Sequence, residues 1–404
     1  MSKMLTFDEA VSISNNLTLP NNAFIDGKFS SAFSGDVFTT VNPANERVLT
    51  EIASCDFEDV NYAVEKARVA FQKGVWSKKH PSGRKECLIK LCKLIKRNLR
   101  ELAVLESLES GKPILDCITI DLPETINCIA WHAEAVDKIY DQISPSGDGA
   151  VGMIVREPAG VVGCVLPWNF PLMMLAWKIG PALASGNSVI VKPAEQTSMT
   201  ALKIADLAIE AGIPAGVLNI LPGFGEKAGK AIGLHPDIDV VSFTGSTEIG
   251  REFLKYSAES NLKRITLECG GKNPSVVFRD AKRLDKIAKE ITFSVFWNMG
   301  QNCTANSRLI VHKDLEGPLT ERIIDHLKDW RTGNPLDAKN SLGAIVSEEH
   351  QLKITNSIDA AKSGGASVIA GGEDVSEESG FYVSPIVFGD VRASMDIAKN
   401  EIFG

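Results

Sequence analysis

Apolar residues recur along this chain with two different periods, and the change from one to the other organises it. From Asp56 to Gly74, Val60, Val64, Ala67 and Phe71 fall three or four residues apart, which predicts an amphipathic helix. Ser82 to Ser110 reads as a longer helical stretch with one break, stopped by Gly111-Lys112-Pro113. Leu115 to Tyr140 predicts a further helix, with Ile126, Ile129, Ala133 and Val136 on one face. Ahead of these, Phe24 to Phe29 reads as a short hairpin turning at Asp26-Gly27. The polar run SPSGDGA lies between extended-looking segments and predicts a projecting hairpin over 141–158.

From Gly160 the rhythm changes. Val161–Leu166, Ser188–Val191, Val217–Leu221 and Val240–Phe243 are short apolar runs of strand type. Helical patterns separate them at Met173–Leu183, Thr200–Ala211 and Lys227–Leu234. Alternation of this kind predicts an α/β fold, a mainly parallel open sheet with helices on both faces. A further strand, Ile265–Glu268, leads through Gly270-Gly271 into Ser275–Phe278, and a boundary is expected near Gly270.

Composition narrows the classes. The chain has 404 residues, 44% hydrophobic and 23% charged, enough for two or three globular domains. A formal net charge of -8 argues against nucleic-acid binding and against an anionic membrane surface. Eight scattered cysteines, none two residues from another, fit neither a disulfide scaffold nor a zinc pair, and no metal is expected. No signal-peptide pattern and no membrane-length apolar run are present, so the expected setting is reducing and cytoplasmic.

Several positions carry chemistry. Cys303 sits among Gly, Gln, Asn and Thr, polar and tight-turning company for a residue that is otherwise a small buried hydrophobe. A helix beginning nearby would lower its pKa and favour a nucleophilic thiolate. Glu268 ends an apolar strand before two glycines; it is a surface carboxylate or, if partly desolvated, a base poised near neutral pH. Pro167-Trp-Asn-Phe-Pro follows a strand directly, so Asn169 is either part of a stiff core-capping turn or a fixed amide donor for an oxyanion. Lys192 and Glu195 follow another strand end, as an exposed ion pair or a grip on ribose hydroxyls. Gly245 and Ser246 stand where a strand runs into a helix, an ordinary cap or a phosphate cradle. Gly223-Phe-Gly-Glu-Lys-Ala-Gly229 misses the dinucleotide fingerprint by one residue in its last gap.

In order along the chain, PWNFP (167–171), KPAEQT (192–197), FTGSTEIG (243–250), LECGGK (267–272), GQNC (300–303) and EIFG (401–404) resemble the segments of the aldehyde dehydrogenase superfamily. The resemblance runs from about Phe24 to Gly404 and is nearest to the betaine-aldehyde and gamma-glutamyl-aminobutyraldehyde group. It implies a Rossmann-like NAD-binding domain over 1–140 and 159–270. It also implies an oligomerisation hairpin at 141–158 and a second α/β catalytic domain over 271–404. By the same resemblance Cys303 attacks the aldehyde, Asn169 holds the oxyanion and Glu268 activates the water that hydrolyses a thioester. Lys192 and Glu195 would contact the adenosine ribose. Gly225, Gly245 and Ser246 would line the pyrophosphate, with Trp168 and Ile249 nearby. Glu401 and Phe403 would reach the nicotinamide end. Glu195 favours NAD over NADP, since a carboxylate repels a 2′-phosphate.

The chain also departs from the family pattern. Cys269 replaces a usual Leu, which would loosen packing behind Glu268; Met299 replaces a common Gln, and Asn302 stands at a variable position. Asp121 and Glu124 fall in a segment that in relatives helps form the mouth of the substrate tunnel; they are either an acidic pair favouring cationic or amino-bearing aldehydes or two solvated carboxylates at a helix start. Relatives continue past EIFG, so the catalytic domain is expected to be incomplete. A homo-oligomer, usual for the family, is doubtful on that expectation, and the rival reading is an impaired chain that binds NAD or a partner subunit. A coenzyme A-acylating enzyme is disfavoured, because such relatives commonly lack the glutamate found here at 268.

Overall fold

The computed structural model describes residues 4–373, 375 and 379–404. Its strands begin with β1 (Ala23–Ile25), β2 (Lys28–Ser30), β3 (Val37–Val41), β4 (Val48–Ala53), β5 (Gln142–Ser144), β6 (Gly152–Ile154) and β7 (Val161–Val165). They continue with β8 (Ser188–Lys192), β9 (Leu218–Ile220), β10 (Val240–Gly245), β11 (Arg264–Cys269), β12 (Pro274–Val277), β13 (Arg308–Val311), β14 (Ser367–Gly371) and β15 (Ile386–Gly389). Seven of these form one sheet in the order β11-β10-β7-β8-β9-β1-β2. From β11 to β9 the neighbours are parallel, while β1 and β2 join as an antiparallel hairpin at the far edge. The α/β expectation is met.

Helices cover both faces because the central strands are apolar on both. In β8, Val189 and Val191 enter one core and Ile190 the other, as a period of two requires. The larger core is closed by Pro81–Arg97, Leu99–Ser110, Leu122–Ala135, Pro171–Ala184 and Met199–Ala211; the smaller by Phe57–Lys73 and Thr247–Glu259.

The helix expected between Asp56 and Gly74 is present, with Asp56 accepting from the Glu58 N–H and Gly74 ending it at φ 75°. The single helix expected over 115–140 is divided. A turn at Ile114–Asp116 widens into a π-helical turn, Cys117–Asp121, before the helix Leu122–Ala135 and a tight final turn, Val136–Lys138. Pro123 has no N–H to donate, so the hydrogen-bond ladder opens just ahead of it. At 141–158 the expected hairpin forms from β5 and β6, leaving Ile143, Val151 and Met153 more than 70% exposed.

Beyond β11, β12 pairs in parallel with β13 under the helices Leu284–Phe296 and Lys313–Leu327, around Val277, Ala288, Leu319 and Ile323. No helix among the described residues is long and apolar enough to cross a membrane. What matters for function is the rim of the large sheet. Val165 lies opposite both Lys192 and Phe243, and Gly245 opposite Cys269, so the carboxyl ends of β7, β8, β10 and β11 share one edge. Open α/β sheets hold their ligands at such an edge.

Candidate active site

The loop after β7 brings Asn169 to the segment that carries Cys303. Pro171 opens the next helix and, with Pro167, stiffens the turn between them. Asn169 is buried, and its Nδ2 donates to the Gln301 main-chain oxygen at 3.0 Å. Asn298 Nδ2 donates to the Asn169 main-chain oxygen at 3.1 Å and to the same Gln301 oxygen at 3.0 Å. Cys303, two residues on, is half-buried, and its main-chain oxygen accepts from Asn273 Nδ2 at 2.9 Å.

Among the described residues no helix begins at Cys303 to lower its pKa. Residues 303–304 form a turn, and the next element is the strand β13. The thiol pKa is pushed up instead, first by burial and further by the Glu401 and Glu268 carboxylates, against the lowering effect of the Cys303 and Thr304 N–H groups. Cys303 therefore rests as a thiol, close to both carboxylates.

Of the two readings open for Glu268, a surface carboxylate or a partly desolvated base, the structure gives the exposed carboxylate. It lies on β11, the outer strand of the sheet, where alternate residues, Arg264, Thr266 and Glu268, face solvent. Cys269 turns to the other face. Its Sγ lies 3.1 Å from the point where a Cβ on Gly250 would stand, so it packs on the helix Thr247–Glu259 and not behind Glu268. Met299 and Asn302 are both buried.

The remaining candidates gather on the neighbouring strand ends. Lys192 is buried, with Nζ donating to the Pro193 oxygen at 2.8 Å and to Glu195 Oε2 at 3.2 Å; burial lowers its pKa and Glu195 opposes that shift. Gly225 has nothing within 4 Å of where a Cβ would lie. Gly245 ends β10, and Ser246 caps the following helix, its Oγ accepting the Ile249 N–H at 3.2 Å. Ile249 is 46% exposed, and the Thr244 hydroxyl between strands is buried without a partner. A dinucleotide would fit this donor set, with an exposed helix start for phosphate, the Glu195 carboxylate for hydroxyls and open space over Gly225.

The segment 401–404 closes the other side. Phe403 meets the Trp168 ring edge-on at 5.3 Å, and its main-chain oxygen bonds His350 Nε2 at 2.8 Å. Glu401 Oε1 accepts the Gly271 N–H at 3.2 Å, and a Cβ on Gly270 would stand 2.1 Å from that carboxylate.

Asp121 and Glu124 do not form an acidic pair. Asp121 is fully buried in a 2.8 Å ion pair with Lys112, whose ammonium also sits 4.1 Å from the Phe170 ring centroid. Only Glu124 is exposed. The acid that does approach the site is Asp116, part-buried against the Trp297 indole, with its carboxyl raised to about 7 by burial and partly restrained by Lys112. Trp297 packs on Phe170, Met173 and Met174, next to Asn169. Lys178 was also missed. It is buried, donates to Ser242 Oγ at 3.0 Å and has its pKa lowered by burial, with Cys164 and then Glu268 acting the other way. As the one charged residue in PLMMLAWKIGPALA, it carried a signal in the sequence.

Known proteins resemble this chain over most of its length. The model of the aldehyde dehydrogenase family matches residues 30–404. The chain is 53% identical to an aminoacetaldehyde dehydrogenase of Pseudomonas aeruginosa, over all of this chain and 81% of that protein. Its structure superposes with a TM-score of 0.98 on an indole-3-acetaldehyde dehydrogenase of P. syringae solved with NAD+ and IAA, at 44% identity, covering 99% of this chain and 81% of that one. A gamma-glutamyl-gamma-aminobutyraldehyde dehydrogenase from Burkholderia cenocepacia gives 0.97 at 44% identity, with the same coverage. The chain belongs to the aldehyde dehydrogenase family, the NAD(P)-dependent oxidoreductases of the aldehyde group.

Proposed function

We propose that this chain oxidises an aldehyde to its carboxylic acid with NAD as hydride acceptor, through a thioester on Cys303. The observation that carries this reading is the meeting of Asn169 with the Cys303 segment at Gln301, beside the Glu268 and Glu401 carboxylates. Because the thiol is protonated at rest, attack begins with loss of its proton to solvent. The sulfur then bonds to the carbonyl carbon, and the π electrons move to oxygen. Asn169 Nδ2 keeps one hydrogen on Gln301 and has a second to give to that oxyanion, with the Cys303 N–H as partner. Bound NAD supplies the acceptor for the hydride leaving that carbon, which leaves an acyl group on sulfur. Glu268, exposed and therefore in contact with water, takes a proton from it as the oxygen adds to the thioester. The C–S bond breaks, and the acid departs.

The substrate class we assign is a short, amino-bearing aldehyde. Its support is the identity to an aminoacetaldehyde dehydrogenase and the carboxyl of Asp116 beside the apolar group Phe170, Met173, Met174 and Trp297. The test of the reaction is Cys303→Ser assayed with NAD and several aldehydes. NADH production is expected to vanish while NAD still binds. Residual oxidation at even a few per cent of wild type would remove Cys303 from the reaction.

A further inference from the structure

The stretch leading to Cys303 starts with a backbone that few residues adopt. Asn298, Met299 and Gly300 have φ of 56°, 56° and 71°. This is the left-handed region, open to Gly and tolerated by Asn and Asp, but unfavourable for Met. Asn298 is completely buried, and its carboxamide spans two segments. One donated bond goes to the Asn169 main-chain oxygen at 3.1 Å and the other to the Gln301 oxygen at 3.0 Å. Asn169 Nδ2 reaches that same Gln301 oxygen at 3.0 Å. Two buried amides thus converge on one carbonyl, two residues before the sulfur. Gln301 is held from behind as well, its Oε1 accepting the Val346 N–H at 3.1 Å.

We propose that Asn298 is a positioning residue for the oxidation: its carboxamide fixes the separation between the Asn169 amide and the Cys303 sulfur. The inference rests on the roles proposed above for those two residues. It adds the part that joins them, which lies on a third segment and touches no reacting atom. Without Asn298 the Asn169 main-chain oxygen loses its donor inside a buried loop, which is costly, and the Asn169 amide is left to hold the Gln301 oxygen alone, so the turn 167–171 and the turn at 303 can shift apart. A displacement of an ångström at the reacting centre is enough to slow the chemical step by about 10²-fold.

The left-handed backbone allows a clean experiment. Asn298→Asp keeps the shape and the tolerance for positive φ but puts an oxygen where Nδ2 stood, against two carbonyl oxygens. Asn298→Gly keeps the backbone and removes the donors without repulsion. In Asn298→Asp, kcat is expected to fall about 10²-fold, and in Asn298→Gly roughly tenfold, with NAD affinity and iodoacetamide alkylation of Cys303 near wild type. The glycine variant carries the test if the aspartate variant does not fold. Because Asn298 acts through Asn169, the pair Asn169→Ala with Asn298→Gly should lose no more kcat than Asn169→Ala alone. A folded Asn298→Gly protein with wild-type kcat, or losses that add in the double variant, overturns the proposal. Full turnover in Asn169→Ala would instead overturn the oxyanion reading beneath it.

Discussion

The two sides of the site are built in opposite ways. On the nucleophile side, Asn169, Asn298 and Gln301 are buried and bonded to one another at 3.0 to 3.1 Å. On the cofactor side, the space over Gly225 is empty, Ile249 is 46% exposed and Ser246 holds only its own helix. The first arrangement suits groups whose separation sets a reaction rate. The second suits a ligand that must arrive oxidised and leave reduced in every cycle. Glu268 breaks the pattern, since it has a part in the proposed chemistry and yet stands exposed on an edge strand.

The largest effect is therefore expected where that exception is removed. Glu268→Gln should reduce steady-state NADH production about 10²- to 10⁴-fold, the usual range for losing a general base, while one enzyme equivalent of NADH still forms in a rapid burst. The burst rate should climb about tenfold per pH unit below the thiol pKa, because burial holds Cys303 protonated and each unit multiplies the thiolate fraction by ten. A burst lost in parallel with turnover would mean that Glu268 acts before the hydride leaves, and a burst rate flat in pH would contradict the protonated resting thiol.

How much of this was legible in the sequence depends on how local each cause is. The parallel sheet and its helices were readable because apolar period reflects burial on one face or two. The hairpin turn at Asp26-Gly27 was readable because left-handed turn residues are few; their φ values are 51° and 78°. Asp121 was misread for a physical reason. Three residues apart on a helix, Asp121 and Glu124 still stand about 60° apart around its axis, enough for one to face Lys112 in the core and the other solvent. The partner of Asp121, Lys112, lies nine residues back, across Pro113, where no periodic pattern points. The thiol environment of Cys303 was equally hidden, since Glu401 and Glu268 approach it from segments distant in the chain.

Asp116 gives the next effect in size and carries the contrast to the proposed substrate side. Burial raises its carboxyl to about 7, so it is mostly neutral below that pH and mostly charged above it. A substrate ammonium is attracted only by the charged form. The ratio of kcat/KM for an aminoaldehyde over a neutral aldehyde of equal length should therefore rise as pH passes through about 7. In Asp116→Asn the ratio should be lower by roughly tenfold and lose that rise, as expected for one charge pair in a partly screened site. A ratio unchanged by the substitution would leave the amino-bearing substrate class with only the likeness to its relatives.

The smallest effect belongs to the open side, at Glu195. Its carboxylate is one third exposed and already shares Lys192 at 3.2 Å, so solvent and the ammonium both weaken its field. A 2′-phosphate placed nearby would feel a repulsion of only about 1 kcal/mol in a largely aqueous setting, a factor of about five in kcat/KM. Glu195→Gln should therefore improve use of NADP about fivefold relative to NAD, and the gain should shrink in high salt, which screens exposed charges. The same substitution frees Lys192 from its carboxylate partner, and a free ammonium near a phosphate works in the same direction. The salt series separates this from a packing effect, because a shift that ignored ionic strength would come from shape. A change of a hundredfold or more would mean that Glu195 is held as rigidly as Asn169, and the division between a fixed nucleophile side and an open cofactor side would fail at the residue chosen to represent it.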